Sequence, residues 1–142
     1  MYISDAKRLT TEGARKIKNA AVKAAEKAGI PITVAIVDAG GHLLVLERMD
    51  GGKFHSVHSA TTKAVCAASN KRNTGSTGAV GQSLDVLHAL GLALAAGPER
   101  WTAMEGGVPV MAGNECIGGV GVAGGNWEFD EKVAREAVEA IK

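Results

Sequence analysis

Apolar residues near the start of the chain recur with helical spacing. Leu9, Gly13, Ile17, Ala20, Ala21, Ala24 and Ala28 fall close to a 3.6-residue period. Ser4 can cap such a helix, with Asp5 in its first turn. Gly29 followed by Pro31 ends it, because glycine takes the left-handed cap and proline cannot continue the helix. A stripe made mostly of alanine implies close packing against something flat, such as a sheet. From Ile32 to Val37 the pattern becomes β-branched and uninterrupted, as in a strand buried on both faces. Ala39-Gly40-Gly41 supplies a turn, and His42 to Arg48 returns as a second strand. So short a connection makes the pair antiparallel.

Gly51-Gly52 breaks the strand pattern, and a helix follows from about Lys53 to Ser69. Lys71 to Gly81 is polar and glycine-rich, the segment best suited to a mobile loop. Leu84 to Ala96 has helical composition, weakened at Gly91. Trp101 to Met104 reads as a short strand. Val108 to Ala112 and Cys116 to Val122 flank Gly113-Asn114, a hairpin turn. A last helix carries Val133, Ala134, Ala137, Val138 and Ile141 on one face. Strands grouped by hairpins, rather than alternating singly with helices, predict an α+β domain: an antiparallel sheet of about five strands with helices packed on it. No repeat or linker divides the chain, so a single domain over residues 1–142 is expected.

Composition narrows the functional classes. With 46% hydrophobic residues and a formal charge of +1, the chain resembles neither a disordered segment nor a nucleic-acid binder. Aromatic residues, at 4%, are too few for base stacking. No stretch approaches the ~20 apolar residues of a membrane span, and the charged N-terminus has no secretory apolar core. Cys66 and Cys116 have no metal-ligand or disulfide-scaffold spacing. A cytoplasmic protein is the simplest expectation.

Gly119 to Gly124 satisfies GxGxxG, but too few residues follow for the second strand that a dinucleotide fold requires. These glycines instead read as places where a helix, ligand or second subunit approaches the strand closely. His55 and His58 lie about 60° apart on a helix, with Ser59, Thr62 and Cys66 continuing the face of His55. Two imidazoles on one edge can ligate heme iron or supply half of a metal site. A solvated polar edge is the alternative. No further residues are placed beside them to complete a mononuclear metal centre. His42 and His88 are weaker candidates, and Cys66, on an apolar helix, reads as a buried inert thiol. Arg48 can pair with Asp50 or offer its guanidinium to a ligand carboxylate. Lys63 can join that patch, and the two propionates of heme fit it.

Longer blocks carry a family resemblance. Val37 to Leu43, followed by Arg48-Met49-Asp50-Gly51, resembles the start of the GlcG/HbpS heme-binding family. That family includes the C-terminal domain of PduO-type corrinoid adenosyltransferases and small proteins of diol-utilisation operons. The resemblance continues through Lys63-Ala64, Gly81 to Leu84, Gly106 to Val110, Ile117 to Gly125 and Asp130-Glu131, in family order and over nearly the whole chain. It implies a profilin-like α/β sandwich with a five-stranded antiparallel sheet, assembling into homo-oligomers. The activities it implies are heme binding, sometimes heme degradation or redox sensing, and an accessory role in cobalamin-dependent metabolism. Three positions depart from the family pattern: Glu105 where glycine is usual, Asp85 where an aromatic is frequent, and Ala123 where serine is usual.

The resulting expectation is an oligomeric binder of a small ligand, heme first among them. His55, His58, Arg48, Lys63, Gly106, Gly107, Gly124 and Gly125 are the candidate ligand contacts. An enzyme acting on a small metabolite is the alternative. There Glu105 or His55 would be general base, with Asp85 a second acquired carboxylate. A structural partner of a cobalamin enzyme is a third. Neither nucleic acid nor membrane is an expected partner.

Overall fold

The computed structural model describes all 142 residues. The first helix, α1 (Thr11–Ala28), starts where extended Thr10 turns its hydroxyl onto the Gly13 N–H at 3.1 Å. Ser4 is therefore not the cap, and residues 1–10 have no regular structure. That segment is held from outside a helix: Leu9 is buried, and the Lys7 N–H donates to the Glu115 carboxylate at 3.0 Å. The buried stripe of α1 is also rotated from the expected one, running Ala14, Ile17, Ala21 and Ala25 and leaving Ala28 exposed. Its end follows the glycine signal, with Gly29 at φ +70° donating to the carbonyls of Ala25 and Glu26.

Four strands form one antiparallel sheet. They are β1 (Thr33–Asp38), β2 (Leu43–Arg48), β3 (Gly107–Ala112) and β4 (Glu115–Ala123), in the order β2-β1-β4-β3. The expected fifth strand is absent, because Trp101 to Met104 finds no strand partner. Its carbonyls are taken by side chains instead: Met104 O accepts from the Thr74 hydroxyl at 2.7 Å, and Thr102 O from the Cys66 thiol at 3.6 Å. The irregular segment after residue 70 is pinned at the same threonine, whose N–H donates to Gly107 O at 2.9 Å.

Helices cover both faces. α1 and α4 (Trp127–Ala137, continued as a 3-10 turn Val138–Ile141) pack on Val34, Ile36, Val120 and Val122. On the opposite face α2 (Ser56–Asn70) sets Ala60, Ala64 and Ala68 against Ala35 and Val37. The alternation Gly119-Val120-Gly121-Val122 is what allows this, since valines face one layer and glycines the other. A Cβ at Gly121 would strike the Ala60 carbonyl, and one at Gly119 the Ala64 carbonyl. The glycine-rich strand is thus a bed for α2, so of the three close approaches expected there (helix, ligand or second subunit) Gly119 and Gly121 serve the helix. α3 (Val86–Ala96), capped by Asp85 through the His88 N–H at 2.8 Å, stands apart and buries none of its residues.

Candidate functional site

α3 stands off α2, and the gap between them is a cavity of about 700 Å³, within the range of small-molecule sites. One wall is the N-terminal half of α2 with Lys53 before it, bringing His55, His58, Ser59 and Thr62. The facing wall is apolar: Val86, Ala89, Leu90 and Ala93 of α3, with Trp101 beyond. Ala123, Gly124, Gly125 and Asp130, where β4 turns into α4, close the floor with Lys63.

His55 sits at the N-cap of α2 in helical geometry without using its side chain as a cap. Neither its imidazole nor that of His58 has a hydrogen-bond partner in the chain, and both residues are exposed at the cavity wall. Phe54 stands edge-on to His55, with ring centroids 6.0 Å apart. The other two histidines are committed elsewhere. His42 Nδ1 lies 3.2 Å from the Asp38 carboxylate, and His88 Nδ1 lies 2.9 Å from that of Asp85. The hydrogen bonds from His88 hold the exposed Asp85 carboxyl below its ordinary value. At Asp38 burial acts in the opposite direction, but the N–H groups of His42 and Gly40 outweigh it and lower the pKa.

The floor holds a buried ion pair. Lys63 Nζ donates to Val122 O at 2.9 Å and to Asp130 Oδ2 at 3.3 Å, and each side chain is 4% exposed. Asp130 Oδ1 accepts from the Gly125 N–H at 2.9 Å. Burial lowers the pKa of Lys63, only partly offset by Asp130, and raises that of Asp130, only partly offset by Lys63. Burial likewise pushes the Cys66 thiol up, consistent with an inert residue.

Of the expected ligand contacts, His55, His58, Lys63, Gly124 and Gly125 come together here. Arg48 lies outside the cavity, exposed at the end of an edge strand, with its guanidinium 3.5 Å from Gly52 O. Gly106 and Gly107 are buried behind the cavity, against Lys63 and Thr74. Glu105 faces a separate depression with Trp127, Glu131 and Arg135, and Asp85 is spent on α3. The acquired carboxylates therefore do not meet His55 or His58. Trp101 and Lys53 are lining residues that motif reasoning did not single out, and Asp130, which fell in a family block, was not among the expected contacts. Asp130 had a signal, because Lys63 shares the helical spacing of Ala60, Ala64 and Ala67 that marks the buried face of α2. A lysine on a buried face requires an anion.

A family model described as haem-degrading protein HbpS-like matches residues 9–139. The chain belongs to the HbpS-like family. Its relatives include GlcG of Escherichia coli, 31% identical over 115 residues and covering 81% of each chain. An HbpS double mutant of Streptomyces reticuli superposes with a TM-score of 0.82 at 34% identity, over 99% of this chain and 91% of that one. PduOC, solved as a heme complex, superposes with a TM-score of 0.84 at 30% identity, over 96% of both chains.

Proposed function

We propose that this HbpS-like chain binds heme in the cavity between α2 and α3, with an imidazole of His55 or His58 facing the iron. The observation that carries the reading is the pair of uncommitted imidazoles opposite an apolar wall in a cavity of about 700 Å³. The donor set fits the group: the α3 side chains and Trp101 suit the porphyrin face, and Lys53 offers a cation to a propionate. Ser59 and Thr62 add hydroxyls along the same wall. Bound heme would supply a redox-active iron, and the chain's own contribution is to orient it and exclude water. The heme complex of the related PduOC supports the assignment.

Titration with hemin is expected to produce a Soret band that saturates at one heme per chain. Replacing both His55 and His58 by alanine is expected to shift that band and weaken binding by at least about tenfold, a loss of about 1.4 kcal/mol. An unchanged spectrum in the double variant would remove the imidazoles from the iron.

The same reading includes assembly with a second copy of the chain over α3. Leu87, Leu92 and Leu94, none of which lines the cavity, are exposed on a helix with no buried residue, a patch out of keeping with a solvated surface. A near-neutral chain of charge +1 opposes such self-association little. Light scattering is expected to give an oligomer for the native chain and a monomer for Leu87→Lys/Leu94→Lys. A monomeric native chain would end this part of the proposal. No helix is long and apolar enough to cross a membrane.

A further inference from the structure

The heme reading gives Lys63 and Asp130 no chemistry, yet they form the floor of the cavity. We propose that Lys63 is a carbonyl-capturing nucleophile whose amine condenses with a small aldehyde or ketone entering between α2 and α3. Three features of the site argue for it. Nζ is held in place by Val122 O and Asp130 rather than waving from a surface, and its carboxylate partner is within 3.3 Å. Lys63 and Asp130 line the cavity together with Gly124 and Gly125, on the side from which a small carbonyl compound would enter. Finally, the amine is desolvated, which favours its neutral, nucleophilic form. Glu105 acts in the other direction by its charge, but more weakly than Asp130.

The step balances within this pair. Proton transfer along the Lys63–Asp130 contact gives a neutral amine and a protonated carboxyl. The Nζ lone pair attacks the carbonyl carbon and the C=O π pair moves to oxygen, which takes the Asp130 proton. The nitrogen returns one proton to Asp130, leaving a neutral carbinolamine. Asp130 then protonates the hydroxyl, water departs, and the C=N bond forms as an iminium facing the Asp130 carboxylate. No oxidant, reductant or metal is needed.

Incubation with butyraldehyde and cyanoborohydride near pH 7 traps the imine as a stable secondary amine, located by peptide mass mapping. Each unit by which an amine pKa falls raises its free-base fraction about tenfold at this pH. Lys63 is accordingly expected to be alkylated faster than the exposed Lys27 and Lys142, and Lys63→Arg to lose only that modification. Alkylation of Lys63 no faster than that of the surface lysines would overturn the proposal. A parallel sample loaded with hemin keeps it separate from the heme reading. Rapid Lys63 labelling that hemin does not block supports the imine and counts against heme in this cavity. A normal hemin titration with slow labelling counts against the imine alone.

Discussion

Replacing Gly121 by alanine is expected to destabilise the chain by about 3 kcal/mol or more, enough to lower its urea midpoint sharply or to abolish soluble expression. The single added carbon would lie 2.6 Å from Ala64 N as well as against the Ala60 carbonyl, and both neighbours are helix backbone, which cannot rotate aside. Relief would require lifting α2 from the sheet, exposing the alanine layer of Ala60, Ala64 and Ala68. Gly91→Ala is the matched comparison. That glycine is exposed in α3 with nothing near its missing Cβ. There the change is expected to gain about 0.5–1 kcal/mol by removing a flexible residue from a helix interior. Equal midpoints for the two variants in chemical denaturation would mean that α2 does not sit where the geometry puts it.

The second large effect is expected at the buried pair. Asp130→Ala leaves the Lys63 ammonium without its anion in a site with 4% exposure and should cost about 3–5 kcal/mol. Lys63→Met combined with Asp130→Leu removes both charges and should recover most of that loss, because an apolar pair of similar volume needs no desolvation of ions. A double variant as unstable as Asp130→Ala would mean that the packing, rather than the charge, is at fault. The pair also sets a pH signature. The folded-state pKa of Lys63 lies below 10.5, so between the two values the unfolded chain holds the extra proton and stability rises with pH. The folded-state pKa of Asp130 lies above 3.8, so its contribution is present at low pH and is lost as pH rises through the folded value. Denaturation midpoints measured from pH 4 to pH 10 should show both slopes in the native chain and neither in the double variant.

How far the sequence predicted this structure depends on whether a pattern was local. The β1–β2 hairpin, the β3–β4 hairpin around Gly113-Asn114, and the end of α1 at Gly29 each follow from turn chemistry and short-range periodicity. The Gly-Val alternation of β4 also carried its meaning, since period two assigns the glycines to one face. The start of α1 went astray because Ser4 and Thr10 are both acceptable caps, and the choice fell to Leu9 and Glu115, the latter more than a hundred residues away. The fifth strand failed for a similar reason. Trp101 to Met104 has strand-like content, but a strand exists only where a neighbour offers its edge, and here Thr74 and Cys66 compete for the carbonyls. In the site, helical spacing paired His55 with His58, and family blocks placed Gly124-Gly125 in order. Neither told that Arg48 would end on the outer edge of the sheet, or that Glu105 and Asp85 would point to different surfaces. Those are tertiary facts, fixed by which side of each strand end the chain leaves from.

The isolation of α3 has a consequence for motion as well as for assembly. A helix that contributes no buried side chain shares little free energy with the sheet, so it can unravel as its own cooperative unit while the remainder stays intact. In the free chain its amides are expected to fall in the fast-exchanging class, and whatever fills the gap beside it, ligand or second copy, would supply the order that the rest of the fold withholds. Occupancy would then be written into the protection of eleven residues rather than into any displacement of the core.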